Sequence, residues 1–271
     1  MHHDLLVDKA VYQDLYITLK KKYAKFLIDN WSEATDPLKH VFEDISLATF
    51  LILLWSQSRG QDMKFVDIGC GNGLLVYLLT MEGYQGYGID ARRRNSWNIF
   101  PKQVQSRLYE KILIPHFLED GLGENVHDGM FEDNTFLISN HSDELTPWTP
   151  LLAALVPGSA FLAIPCCERD FSGAKIGGGF LKTSNESGAQ GRYAMYCQWI
   201  CDIAQEIGWL VEMEMLRIPS TRNRGIVGRQ IDSPRTKEKA LEVISRLGGS
   251  NGYQGFIDRA KGLKAKVHSS H

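Results

Sequence analysis

Between residues 65 and 90 the chain reads FVDIGCGNGLLVYLLTMEGYQGYGID. Its chemistry-bearing residues are an early acid, Asp67, three glycines, Gly69, Gly71 and Gly73, alternating with Cys70 and Asn72, and a second acid, Asp90. Glycine has no Cβ, so it accepts positive φ and lets a ligand lie against the backbone. A helix starting at Gly73 presents unpaired N–H groups and a positive dipole end. A carboxylate at a strand tip can accept hydrogen bonds from both hydroxyls of a ribose. Leu74, Leu75, Leu78 and Leu79 recur at helical spacing, and Gly86 to Ile89 reads as a second strand ending in Asp90. The order is strand, tight turn, helix, strand, acid, which is what holding a nucleoside requires.

The glycine spacing separates two kinds of nucleoside ligand. Here it is D-x-G-x-G-x-G, whereas the dinucleotide fingerprint G-x-G-x-x-G puts its third glycine one place later. The early acid and even spacing resemble motif I of class I S-adenosylmethionine-dependent methyltransferases. That resemblance implies S-adenosylmethionine as cofactor, with Asp67, Gly69, Cys70, Gly71, Asn72, Gly73, Asp90 and Ala91 around it. Asp90 stands one helix and one strand beyond Gly73, which disfavours a chance glycine turn in an unrelated α/β protein.

Other polar clusters fall at strand ends, where open parallel sheets gather their ligands. Arg92, Arg93, Arg94 and Trp97 follow Asp90 directly. Arginines suit bidentate phosphate binding and tryptophan offers a stacking face, so RNA is one reading. A solvated helix start with Trp97 in the core is the other. After the strand at 135–139 comes Asn140-His141-Ser142-Asp143-Glu144, where a methyltransferase handles its acceptor. It is not the N-P-P-Y run of many amino-group methyltransferases, which disfavours an exocyclic base nitrogen as acceptor. Asp143 and Glu144 could equally cap the next helix. A zinc site would need Cys166, Cys167, Cys197 and Cys201 to converge without a C-x-x-C pair. Buried, inert thiols are the preferred reading, and no metal is expected.

The elements that must position these residues follow in order. Val11, Tyr12, Leu15, Tyr16, Leu19, Tyr23, Phe26 and Leu27 predict a helix over 8–31 with a basic outer face from Lys20, Lys21, Lys22 and Lys25. Asp36 and Pro37 open a second, largely apolar helix to Ser56, on whose early turns Glu43 and Asp44 read as acids favouring the dipole. Strands are expected at 64–68, 111–116, 135–139, 160–165, 209–217 and 225–228, and helices at 150–156, 193–207 and 235–248. The Gly- and Ser-rich stretch 172–191 reads as a loop above the site, either a lid or a connector. The tail from Asn251 is expected to dock weakly or not at all. The fold class is therefore α/β, Rossmann-like, a seven-stranded mixed sheet with helices on both faces and an N-terminal helical extension. The expected divisions are 1–60 for that extension, 61–232 for the methyltransferase domain and 233–271 for a C-terminal helix and tail.

The chain has 271 residues, 44% hydrophobic, with a net charge of −2. RNA binding must therefore use local basic patches, not a global field. No apolar run reaches the ~18 residues of a membrane span, and no secretory signal is visible. An odd number of cysteines, 5, argues for a reducing, cytoplasmic compartment.

Six stretches carry a closer resemblance: HVFEDI (40–45), VDIGCGNGLLV (66–76), GIDARRR (88–94), SNHSDELTPW (139–148), IPCC (164–167) and RIPSTR (217–222). In this order they resemble the eukaryotic tRNA (uracil-2′-O-)-methyltransferases that modify uridine 44 of serine tRNAs. The glycine motif is shared by all class I enzymes, and the NHSDELTPW run is specific. Family members are often longer, and some carry a C-terminal CCCH zinc finger, which is not visible after Gly228. The resemblance implies a ribose 2′-O-methyltransferase with tRNA as partner. Asp143 or Glu144 would then accept the proton, with Asn140 or His141 orienting, and Arg92, Arg93, Arg94, Trp97 and Arg222 would meet RNA. The K-D-K-E tetrad of some ribose methyltransferases cannot be placed. Two other functions stay open: a methyltransferase for a protein or small molecule, and a non-catalytic RNA- or protein-binding platform. Against the platform stand the intact Asp67, glycines and Asp90.

Overall fold

A computed structural model describes residues 4–57, 63–119, 123–177, 191–248 and 251–268. Two helices come first, α1 (Lys9–Asp29) and α2 (Pro37–Ser56). Each starts on an aspartate: Asp8 accepts from the Ala10 and Val11 amides, and Asp36 from the Leu38 amide with Pro37 in the first turn. Then come β1 (Lys64–Ile68), α3 (Leu74–Met81), β2 (Gly86–Asp90), a 3-10 turn Asn95–Ile99 and the single turn α4 (Lys102–Gln105). Next are β3 (Leu108–Glu110), β4 (Ile112–Leu113), β5 (Val126–His127) and β6 (Thr135–Asn140). A 3-10 turn Asp143–Trp148 leads into α5 (Thr149–Ala154), β7 (Ala160–Ile164) and α6 (Arg192–Ile207). The chain ends with β8 (Leu210–Met215), β9 (Arg224–Gln230), α7 (Lys237–Leu247) and α8 (Gln254–His268).

Seven strands form one sheet in the order β3-β2-β1-β6-β7-β9-β8. The first five strands in this order pair in parallel with their neighbours; β9 is antiparallel to both β7 and β8. The inner strands β1, β6 and β7 are almost continuously buried because both faces are covered. Alternate side chains serve two cores. Phe65, Phe136, Ile138 and Leu162 pack with α1, α2 and α3 on one face. Val66, Ile68, Leu137 and Phe161 pack with α5, α6 and α7 on the other. This is the Rossmann-like sheet expected from the sequence. Strand order reverses between β1 and β6, so a crevice opens at their carboxyl ends, where Gly69 and Asn140 follow.

Two expectations are corrected. The third strand of the sheet is Leu108–Glu110, paired with Gly88, Ile89 and Asp90, not the more apolar run at 111–116. Ile112 and Leu113 instead form a separate two-stranded sheet with Val126 and His127. The tail from Asn251 does dock: Phe256, Ile257 and Ala260, at helical spacing, are buried, and the Phe256 ring lies 4.9 Å from that of Trp148. Most of the expected loop at 172–191 lies outside the described residues.

Candidate active site

The turn after β1 is a cradle of backbone. Gly69, Gly71 and Gly73 have φ of 74°, 52° and 75°, values that side-chain-bearing residues adopt at a cost. At Gly71 a Cβ would meet nothing within 4 Å, so that glycine faces open space; at Gly69 it would press on Ser142 at 3.1 Å. Asn72 accepts from the Leu74 amide and starts α3, as the sequence order requires.

Asp90 holds the cradle from the next strand. Its Oδ2 accepts the Gly71 amide at 2.9 Å and its Oδ1 the Arg92 amide at 2.9 Å. Both oxygens keep a lone pair for a ligand hydroxyl. Trp97 is 1% exposed, and its indole N–H donates to the Gly71 carbonyl at 2.9 Å. Ser96 donates from its hydroxyl to the Asn72 carbonyl, and its amide donates to Glu33. The stacking role expected for Trp97 is thereby corrected: it has no open face and clamps the glycine turn instead. Arg92 and Arg93 are exposed on the surface, Arg93 bonded to Asn98 and lying over Trp97. Arg94 alone of the three lines the cleft, 3.8 Å from Asp90.

The cleft has a volume of about 650 Å³. One wall is the cradle with Asp67, Cys70 and Asn72; a second is Asn140, His141 and Cys166 at the tips of β6 and β7. The opposite lip comes from the start of α2, with Lys39, His40, Glu43 and Asp44, and from Ser220 and Arg222 before β9. Arg222 donates to the Cys166 carbonyl and the Glu168 carboxylate, which ties that lip to β7. A second, narrow pocket of about 60 Å³ lies beyond Gly69, lined by Asp90, Ala91, Ile112, Leu113 and Glu144 and closed by Phe256, Ala260 and Leu263 of α8.

The charges in the cleft are unbalanced. Asp67 is 2% and Asp44 7% exposed, and among the described residues no salt bridge reaches either. Among the described residues Asp67 Oδ1 is buried with no hydrogen-bond partner, and Asp44 Oδ1 accepts from Asn140 Nδ2 at 3.3 Å. Burial pushes the Asp44 carboxyl up to about 7, with the Glu43 charge adding to it. Burial, then the charges of Asp44 and Asp90, raise Asp67. Uncompensated buried carboxylates are costly unless a cation meets them. A ligand carrying an ammonium and a sulfonium, next to a ribose on Asp90, has the chemistry this donor set lacks.

The strand-tip residues divide. Asn140 and His141 reach the cleft, and burial lowers the His141 pKa, which favours its neutral ring. Asp143 sits behind Cys166, its Oδ1 3.4 Å from that Sγ. Glu144 turns to the second pocket, 3.8 Å from Arg169. The sequence reading missed Lys39, His40, Glu43 and Asp44 as cleft residues. The available signal was two adjacent acids on a helix that is otherwise apolar.

Comparison with known proteins sharpens this geometry. A family model described as a predicted AdoMet-dependent methyltransferase matches residues 6–115. A protein of Schizosaccharomyces pombe named tRNA (uracil-O(2)-)-methyltransferase is 47% identical over 100% of this chain and 58% of its own length. Proteins of the same name from Neurospora crassa and Saccharomyces cerevisiae are 45% and 38% identical, over 93% and 100% of this chain and 53% and 56% of theirs. The chain belongs to the tRNA (uracil-O(2)-)-methyltransferase family. It spans little more than half the length of these curated relatives. The family model starts at residue 6, so the methyltransferase match takes in α1 and α2, and the start of α2 forms one lip of the cleft.

Proposed function

We propose that this chain is the catalytic part of a tRNA ribose 2′-O-methyltransferase, moving a methyl from S-adenosylmethionine to a uridine 2′-hydroxyl. The observation that carries the proposal is the pair of uncompensated carboxylates, Asp44 and Asp67, facing a glycine cradle pinned by Asp90. Asp67 and Asp44 would hold the cationic methionine end, Asp90 the ribose, and the pocket lined by Ala91, Ile112 and Leu113 the adenine. When bound, the cofactor supplies a sulfonium methyl as electrophile.

The chain's own groups then orient the acceptor and take its proton. Asn140 is anchored through Asp44 and can aim its carbonyl oxygen at the acceptor. His141, on the cleft wall and favoured neutral by burial, would receive the 2′-hydroxyl proton, in preference to Asp143 and Glu144, which are engaged elsewhere. Lys39, Arg94 and Arg222 on the lip offer positive charge to the flanking phosphates. The relatives' name supports uridine in tRNA as acceptor; the sequence resemblance supports uridine 44 of serine tRNA, and the free cysteines support a cytoplasmic setting.

The test is incubation with methyl-labelled S-adenosylmethionine and unmodified serine tRNA, followed by digestion to nucleosides. Label in 2′-O-methyluridine is expected. Label in a base, or in added protein and not RNA, would overturn the acceptor assignment.

A further inference from the structure

A second cluster stands at the edge of the cleft. Asp143, from the turn after β6, meets Cys166 and Cys167 at the tip of β7. Asp143 Oδ1 is 3.4 Å from Cys166 Sγ, and one carboxylate oxygen and both sulfurs lie within 4.8 Å of one another. Among the described residues this is the one group of three or more metal-ligating side chains at such range. Sequence spacing could not show it, because its carboxylate comes from a different strand. Cys197 and Cys201, the partners the sequence reading would have required, lie buried on α6 instead.

The spacing is that of a coordination shell. A tetrahedral zinc ion with Zn–S of about 2.3 Å and Zn–O of about 2.1 Å sets S···O edges near ~3.6 Å and S···S edges near ~3.8 Å. The 3.4 Å between Asp143 Oδ1 and Cys166 Sγ is already close to such an edge. His141 and Asp143 have φ of 54° and 46°, a costly backbone turn that brings the carboxylate under the β7 tip. The tip itself is held, since Arg222 bonds to the Cys166 carbonyl and to Glu168, and Arg192 pairs with Glu168 at 2.9 Å. Such outer contacts are what fix ligands in metal sites. Cys167 is exposed, which gives an ion a path in.

We propose that Asp143, Cys166 and Cys167 bind a thiophilic divalent cation of the zinc class, with the fourth position left to solvent. Two sulfur ligands select zinc over magnesium or calcium. Binding forms two metal–sulfur bonds and one metal–oxygen bond and sends two thiol protons to solvent, with no change of oxidation state. The resulting site carries one net negative charge, beside the Arg222 guanidinium. The proposal stands apart from the methyl-transfer reading, because its readout is the metal itself.

Cobalt(II) is the probe. The whole chain, stripped with chelator, is titrated with Co²⁺ and then with Zn²⁺. One Co²⁺ per chain is expected, with visible tetrahedral bands and an ultraviolet sulfur-to-cobalt charge-transfer band, all displaced by one Zn²⁺. C166S/C167S should lose the charge-transfer band, Asp143→Asn should weaken binding at least about tenfold, and C197S/C201S should leave both unchanged. Absence of the charge-transfer band in the native chain, or its survival in C166S/C167S, would overturn the proposal. Circular dichroism checks that each variant is folded. If the double variant is not, C167S alone decides at its exposed position: unchanged cobalt affinity refutes the site, and a loss of at least about tenfold upholds it.

Discussion

Asp44 is a carboxylate kept where a carboxylate is expensive. Its pKa of about 7 in the fold lies above its ordinary value of 3.8, so the folded protein binds that proton more tightly than the unfolded chain. Stability from this residue is greatest below pH 4 and declines as pH rises from about 4 to 7. Asp44→Asn should therefore raise the stability of the ligand-free protein at pH 8, by up to roughly 2–4 kcal/mol; denaturant unfolding at pH 8 and pH 5 checks it, with the gain reduced by more than half at the lower pH. The same substitution should weaken S-adenosylmethionine binding. In the native chain that affinity should fall about tenfold per unit as pH drops below 7, since the cation needs the ionised carboxylate; calorimetry across pH 5.5–8 reads the slope, and a flat profile removes Asp44 from the site. His141→Ala should lower the methylation rate by about 10²–10⁴ while cofactor binding persists, whereas Glu144→Gln should leave the rate at saturating cofactor near native. Cofactor binding by His141→Ala with full turnover would return the proton to another acceptor. These residues were legible to different degrees. The glycines and Asp90 announce themselves because backbone approach and ribose binding demand particular residue types at particular spacing. Asp44 was not legible as a ligand group, because an acid in an early helical turn is usually explained by the helix dipole, and only the packing of α2 against β1 and β6 reveals its burial.

At the scale of elements, helix starts and apolar strands were readable because caps and burial patterns are local. Asp36 and Pro37 open α2 as expected, and Gly208, with φ of 113°, ends α6. Weak points were segments whose fate depends on what lies across from them. The run at 111–116 is more apolar than Leu108, Tyr109 and Glu110, yet the shorter run reaches β2 first and takes the sheet edge. α8 looked like a loose tail because three apolar residues on a Lys- and Gly-containing segment carry little signal. Against Trp148 they suffice to seat it over the second pocket. Phe256→Ala should cost that docking roughly 2–4 kcal/mol. Hydrogen exchange over residues 254–263 should then rise well ahead of the sheet, and cofactor should dissociate faster; exchange as slow as in the native chain would mean other contacts hold the helix.

As a whole molecule the chain carries a net charge of −2, and its positive groups at the cleft are few. Lys39, Arg94 and Arg222 together predict a shallow salt dependence for tRNA binding, a log–log slope of about −2 to −3. Filter binding at several salt concentrations measures it, and a slope near zero would mean that this lip meets no phosphate. The strand order has a further consequence for how the molecule is made. β9 is the last strand synthesised, yet it lies between β7 and β8 and carries the Arg222 lip in place. As the chain leaves the ribosome, the glycine turn emerges early and waits through some 150 residues for the hairpin that completes its cleft. Until then β7 has an open apolar edge, the kind of surface on which nascent chains aggregate. Ribosome-stalled chains ending before residue 224 should therefore bind holding chaperones, and release from them should coincide with the first ability to bind cofactor.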